Sequence, residues 1–172
     1  MHPFMARLED SNMNNGKLLV MIAVFFMALV GISGEAMAGE AGLNVDANGV
    51  FIDGYDVVAY STVAEAVKGT DQYSAEYKGA KLYFSSNENL EAFKSAPEKY
   101  MPKYNGFCAF AVANGKGLVK ANPKTFKFYN GELLMFFDDI YEGSRFNTIV
   151  PWNADERVLH AKADESWRGL NK

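Results

Sequence analysis

The amino-acid sequence predicts an α+β fold: one small domain with two β-hairpins and about three helices. Three local patterns carry that expectation. Asn130-Gly131 stands between the apolar runs of "FKFYNGELLMFF" (126–137), the strongest short hairpin signal in the chain. Lys78-Gly79 divides the aromatic-rich "YSAEYKGAKLYF" (73–84) in the same manner, and a capping sequence follows it directly. Near the C-terminus, Leu159, Ala163 and Trp167 recur every four residues, the spacing of one helix face.

In chain order, "VFIDGYDVVAYS" (50–61) brackets Asp53-Gly54 with apolar residues, predicting a turn between short extended or helical pieces. Tyr73, Ala75 and Tyr77 then alternate with polar residues, so the first strand can bury one face. Ser85 and Glu88 form the expected capping box of a helix that carries Leu90 and Phe93 on one side and stops before Pro97, with "PEKY" as a short last turn. "GFCAFAVANGKG" (106–117) fits a strand or a short helix by period; the helix is preferred, ending at Gly115. After the second hairpin, Arg145 to Val150 reads as a further helical turn. Asn153 with Glu156 reads as the cap of the last helix. No internal repeat is expected.

The first residues follow different rules. Leu18 to Ile32 is an uncharged apolar run of fifteen residues, short of the ~20 of a spanning helix. Lys17 precedes it and Ala36-Met37-Ala38 follows, so residues 1–38 are expected to be a signal peptide cleaved after Ala38. Glu9 and Asp10 are foreign to such a leader; a true start at Met13 would give a short cationic one. The domain is then 39–172, periplasmic or secreted, touching a membrane only through an uncleaved leader. Without the leader, 15 basic and 18 acidic residues remain, with no basic block, which argues against nucleic acid as a partner. Cys108 is the only cysteine, which excludes an intramolecular disulfide and a lipid-anchored cleavage site.

Three stretches carry a family likeness: "GYDVVAYSTVAEAVKG" (54–69), "EYKGAKLYFSSNENLEAFKSAPEKYMPKYNGFCAFAV" (76–112) and "HAKADESW" (160–167). Together they resemble the exported YHS-domain proteins of bacteria, from about Gly54 to Trp167. The resemblance implies a treble-clef-like core and an association with metals, copper and heavy-metal transport among them. In those relatives a histidine follows the strand tyrosine and cysteines flank the helix. Here Phe84 follows Tyr83, and Ser85 and Ser86 stand where a thiolate could be. The zinc-type site of the relatives is therefore expected to be lost, while Gly106-Phe107-Cys108-Ala109 keeps the pattern of the subfamily.

The soft donors of the exported part are Cys108, His160, Met101 and Met135, and none of them forms a Cys-x-x-Cys or His-x-x-x-His pair. Cys108 reads first as a small buried apolar residue, given its Phe, Ala and Val neighbours. The alternatives are a Cu(I) thiolate with Met101, Met135 or His160, an attachment or axial position for haem, or a redox thiol activated at a helix N-terminus. Asp56, Tyr55 and Tyr60 read as turn cap and packing rather than a pocket. Asp138, Asp139 and Glu142 read as a solvated acidic face without an EF-hand pattern. Nucleophile elbows and phosphate loops are absent from the sequence, which points away from an enzyme. The expectation is an exported binding or accessory module for a soft metal, copper in particular, or for a metalloprotein partner. The alternatives are a redox protein using Cys108 and a structural interaction domain.

Overall fold

The computed structural model describes residues 42–170, so the leader expected over 1–38 lies outside the described residues. The fold is α+β, as expected. Its strands are β1 (Thr70–Tyr77), β2 (Ala80–Phe84), β3 (Asn122–Tyr129), β4 (Glu132–Phe136), β5 (Asp138–Tyr141) and β6 (Ser144–Asn147), paired as three antiparallel hairpins. Its helices are α1 (Ala59–Thr62), α2 (Asn87–Ser95), α3 (Pro97–Tyr100), α4 (Ala109–Ala113), α5 (Ile149–Ala154) and α6 (Glu156–Leu170). Both expected hairpins form, with Lys78-Gly79 and Asn130-Gly131 at positive φ as such two-residue turns require.

Four expectations need correction. A third hairpin turns at Glu142-Gly143, so Arg145 to Asn147 is strand, and helix begins only at Ile149. There are six described helices, not about three, because α1, α3, α4 and α5 are single turns or little more, too short to leave a periodic signal. The cap of α2 is Ser86, whose hydroxyl accepts from the Asn89 amide at 3.2 Å, which releases Ser85 for another task. Asn153 and Glu156 do not cap α6: both hold Lys127, at 2.9 and 2.5 Å, and Glu156 also accepts from the Trp152 indole at 3.1 Å.

Contrary to expectation, the chain holds an internal backbone repeat. Shifted by 52 residues, the backbone of 52–86 recurs at 104–138. Strands β1 and β2 become β3 and β4 without a gap, and the pairing register is the same residue for residue. The shared irregularity recurs too, between Thr70 and Ser74 in one hairpin and between Asn122 and Phe126 in the other. The bridge Tyr55–Lys68 has its counterpart in Phe107–Lys120, and the bond from the Asp56 amide to the Val67 carbonyl in that from Cys108 to Val119, both 2.9 Å. Each copy opens on three consecutive left-handed residues, Ile52-Asp53-Gly54 and Tyr104-Asn105-Gly106. For Ile52, at φ 38°, that conformation is costly. It is held because its amide donates to the Asn44 carbonyl at 2.9 Å while its side chain is buried. Asn44 ties the two openings together, its amide and its side chain reaching the carbonyls of Asn105 and Gly106.

The copies differ in burial. In β2, Ala80, Leu82 and Phe84 face one core, while Lys81 is exposed and Tyr83 half-buried. In β4, Leu133 and Met135 join that same core, while Leu134 and Phe136 face a second one built with Trp152, Leu159 and Ala163. The expected face of α6 is thus confirmed: Leu159 and Ala163 are buried and Trp167 packs beside them. Phe84 meets Phe93 of α2 at 5.1 Å, and its counterpart Phe136 meets Trp152 of α5 at 5.3 Å. Each hairpin is therefore covered by the helix that follows it, in the second copy only after β5 and β6 have intervened.

Candidate functional site

The two copies place Asp56 and Cys108 at the same backbone position, Asp56 separated from α1 by Val57 and Val58 and Cys108 directly before α4. In the first copy the carboxylate is completely buried and fully used. Oδ1 accepts from the amides of Val58 and Ala59 at 2.9 and 3.3 Å. Oδ2 accepts from the Ser85 amide at 2.8 Å, the Ser85 hydroxyl at 2.6 Å and the Asn89 side chain at 2.7 Å. A buried charge demands such a donor shell. The clasp locks α1 to the end of β2 and the start of α2, so Asp56 is the turn cap that the sequence suggested, with a wider reach. Tyr60 is also structural: its buried hydroxyl donates to the Pro123 carbonyl at 2.8 Å, and burial first, with the charge of Asp56 adding, pushes the phenol up.

In the second copy the clasp is gone. Cys108 is fully buried, and its Sγ lies 3.3 Å from the Thr148 hydroxyl, which donates to the Phe137 carbonyl at 3.0 Å. With the hydroxyl proton placed there, the thiol is the donor of the pair. Cys108 lies at the floor of a cleft of about 520 Å³. Phe110, Val119, Phe137, Tyr141 and Phe146 form its walls, and Asn114 and Lys116 stand at its edge. Phe146 meets Phe110 edge-on at 6.3 Å and lies 6.3 Å from Tyr141. Both hairpin aromatics remain open to solvent, Tyr141 at 56% and Phe146 at 39% exposure.

The hairpin that carries them is anchored by Asp138. This carboxylate accepts both nitrogens of the Arg145 fork at 2.8 and 2.9 Å and is further bonded by Thr125 and Asn147, each at 3.1 Å. The Arg145 guanidinium, with Thr125, holds its carboxyl below the usual value against the opposing effect of burial. Of the expected acidic face, Asp139 and Glu142 are exposed, but Asp138 is a buried anchor. Two further clefts, of about 470 and 460 Å³, share Asp53 and Lys68, whose ammonium is already bonded to the Asp53 carbonyl and lies 4.6 Å over the Tyr55 ring.

The expected soft donors are distributed as follows. Met135 is the backbone neighbour of Cys108 through a parallel bridge and shares its core. Met101 is half-buried against that core, just past α3. His160 belongs to a different group on α6: Nε2 is 2.8 Å from Glu132 and Nδ1 3.6 Å from Asp164, with the ring over Tyr129 at 4.9 Å. Lys103 spans the same two carboxylates at 2.6 and 3.0 Å, and Tyr104 donates to Asp164 at 2.9 Å. Burial opposes the charge of Asp164, but Lys103 and Tyr104 outweigh it and hold the carboxyl below its ordinary value. No group of three His, Cys, Asp or Glu is arranged for a metal ion among the described residues. The donor set thus does not fit a closed four-ligand centre, with Sγ facing a hydroxyl and both imidazole nitrogens facing carboxylates.

The sequence pointed to Cys108 and missed its surroundings. Thr148, Tyr141 and Phe146 lie 33 or more residues further on, and the signal that could have found them was the Glu142-Gly143 turn. Together these features define a class: a two-copy α+β domain in which one copy is internally clasped and the other holds an open aromatic cleft over a single thiol. Residues 64–104, which run from just past α1 through β1, β2, α2 and α3, match the family model of the YHS domain, and the chain carries that domain there. Neither a curated protein nor a solved structure matches the chain.

Proposed function

We propose that the protein is an accessory binding module rather than an enzyme, exported by its N-terminal segment, with the cleft over Cys108 as its binding site. One observation carries this reading: the cleft joins several aromatic walls to a few polar groups, at a volume within the range of small-molecule sites, about 300–1,000 Å³. The test is a fragment screen followed by amide NMR shifts. Hits are expected to move Phe110, Phe146 and Thr148 together. A screen whose hits gather around Lys68 and Asp53, or that yields none, sinks the proposal.

A second reading, the soft-metal role associated with YHS domains, is favoured by the position of Met135 beside Cys108. Cu(I) accepts two or three soft ligands, so a thiolate and a thioether at bridged backbone positions are a workable start, with Met101, packed against the same core, as a further candidate. In that reading Cys108 is the principal ligand for a metal cargo. Anaerobic Cu(I) titration of wild type and Cys108→Ser decides it: equal affinities remove Cys108 from any metal role.

A further inference from the structure

The cleft arises from a few differences between the copies. Asp56 is replaced by Cys108 and Ser85 by Phe137, which turns a polar clasp into an apolar floor. In the first copy, β2 runs almost directly into α2, whose Asn89 closes the site. In the second, the chain continues past Asp138 as β5 and β6, with residues 139–147 inserted before α5 begins, and Thr148 takes over the bond to the floor residue. The insertion supplies Tyr141 and Phe146, the two walls without a counterpart in the first copy. It leaves Ile140, Tyr141 and Phe146 exposed while using a buried, arginine-paired carboxylate to hold its base. Solvent-facing aromatics add little to folding stability, and a contiguous apolar surface marks interaction rather than packing. Among the described residues, Lys116 is the one charged residue lining the cleft.

We propose that the second copy is the ligand-binding half of a duplicated unit, and that its cleft takes a small ligand with a planar apolar body and an anionic end. The ring system lies against Phe110, Phe146 and Tyr141, and the anion pairs with Lys116. This rests on the cleft reading above and adds the ligand class.

Two fluorescent probes of similar shape separate the parts of the proposal in the full chain: anilinonaphthalene sulfonate, which is anionic, and phenylnaphthylamine, which is neutral. Phe146→Ala is expected to weaken both by about tenfold, the scale of one aromatic contact with its buried area. Lys116→Gln is expected to weaken the sulfonate by about three- to fivefold, as a partly exposed charge pair does, and to leave the neutral probe unchanged. If Lys116→Gln affects neither probe while Phe146→Ala affects both, the anionic class is wrong and the cleft stands. If neither substitution affects either probe, the cleft reading fails as well. Sedimentation as a dimer that Phe146→Ala converts to monomer would assign the cleft to a second copy of the chain and overturn the ligand. Unchanged thermal unfolding of both variants keeps these outcomes free of folding effects.

Discussion

The first copy buries a carboxylate and surrounds it with five hydrogen bonds; the second places a thiol at the same backbone position and bonds it once. One backbone plan therefore supports two kinds of centre. In the first copy the centre is a brace that joins α1, β2 and α2, and nothing beyond the chain is needed to satisfy it. In the second, the helix that would close the position is pushed back by β5 and β6, and part of the wall is left to solvent. The brace stabilises and the open cleft does not, so the same position carries fold in one half and is available for recognition in the other.

The largest effect that would break this comparison is on stability. Asp56→Ala removes the acceptor of several buried donors and is expected to cost about 3 kcal/mol or more in urea unfolding, since each orphaned group costs about 1–3 kcal/mol. Cys108→Ala, with one weak bond lost and a small volume removed, is expected to cost about 1 kcal/mol. Equal costs would mean that the thiol, too, is a brace.

The next effect is on pH dependence. The carboxyl of Asp138 is held below its unfolded value, chiefly by Arg145, so its stabilisation is complete above the ordinary carboxylate range. It is lost as pH falls through the depressed folded value. Arg145→Gln should flatten that part of the acid unfolding curve, and the loss should appear as early amide exchange in β5 and β6. Unaltered exchange there would show that the hairpin is held by its aromatic contacts instead.

The smallest expected effect sharpens the comparison at the thiol itself. Cys108 is fully buried with its proton shared with Thr148, so a bulky alkylating agent should react with it only after denaturation. Thr148→Ala should speed the reaction modestly without changing the fold. Fast alkylation of the native wild type near neutral pH would favour redox chemistry at Cys108 over binding.

Much of the local structure was legible in the residues. Asn130-Gly131 and Lys78-Gly79 set their hairpins because few residues tolerate positive φ. Leu90 with Phe93, and Leu159 with Ala163, marked helix faces by spacing alone. The repeat was not legible, because only eight of the thirty-five paired positions between 52–86 and 104–138 are identical. The copies share backbone demands, such as Gly54 and Gly106 or Gly79 and Gly131, that different side chains can meet. A turn glycine recurring at one fixed interval in each half was the available signal.

The sequence by itself determined two of the three hairpin turns, the stop of α2 before Pro97 and the amphipathic faces, since each depends on residues within a few positions of one another. It also singled out Cys108, because the chain holds no other thiol. Only the tertiary structure decided what surrounds that thiol, and that Asp56 reaches Ser85 and Asn89 while Cys108 reaches Thr148. Those partners lie 29 to 40 residues apart. Bonds over such separations are chosen by how strands and helices pack, and neighbouring residues leave no periodic trace of that choice.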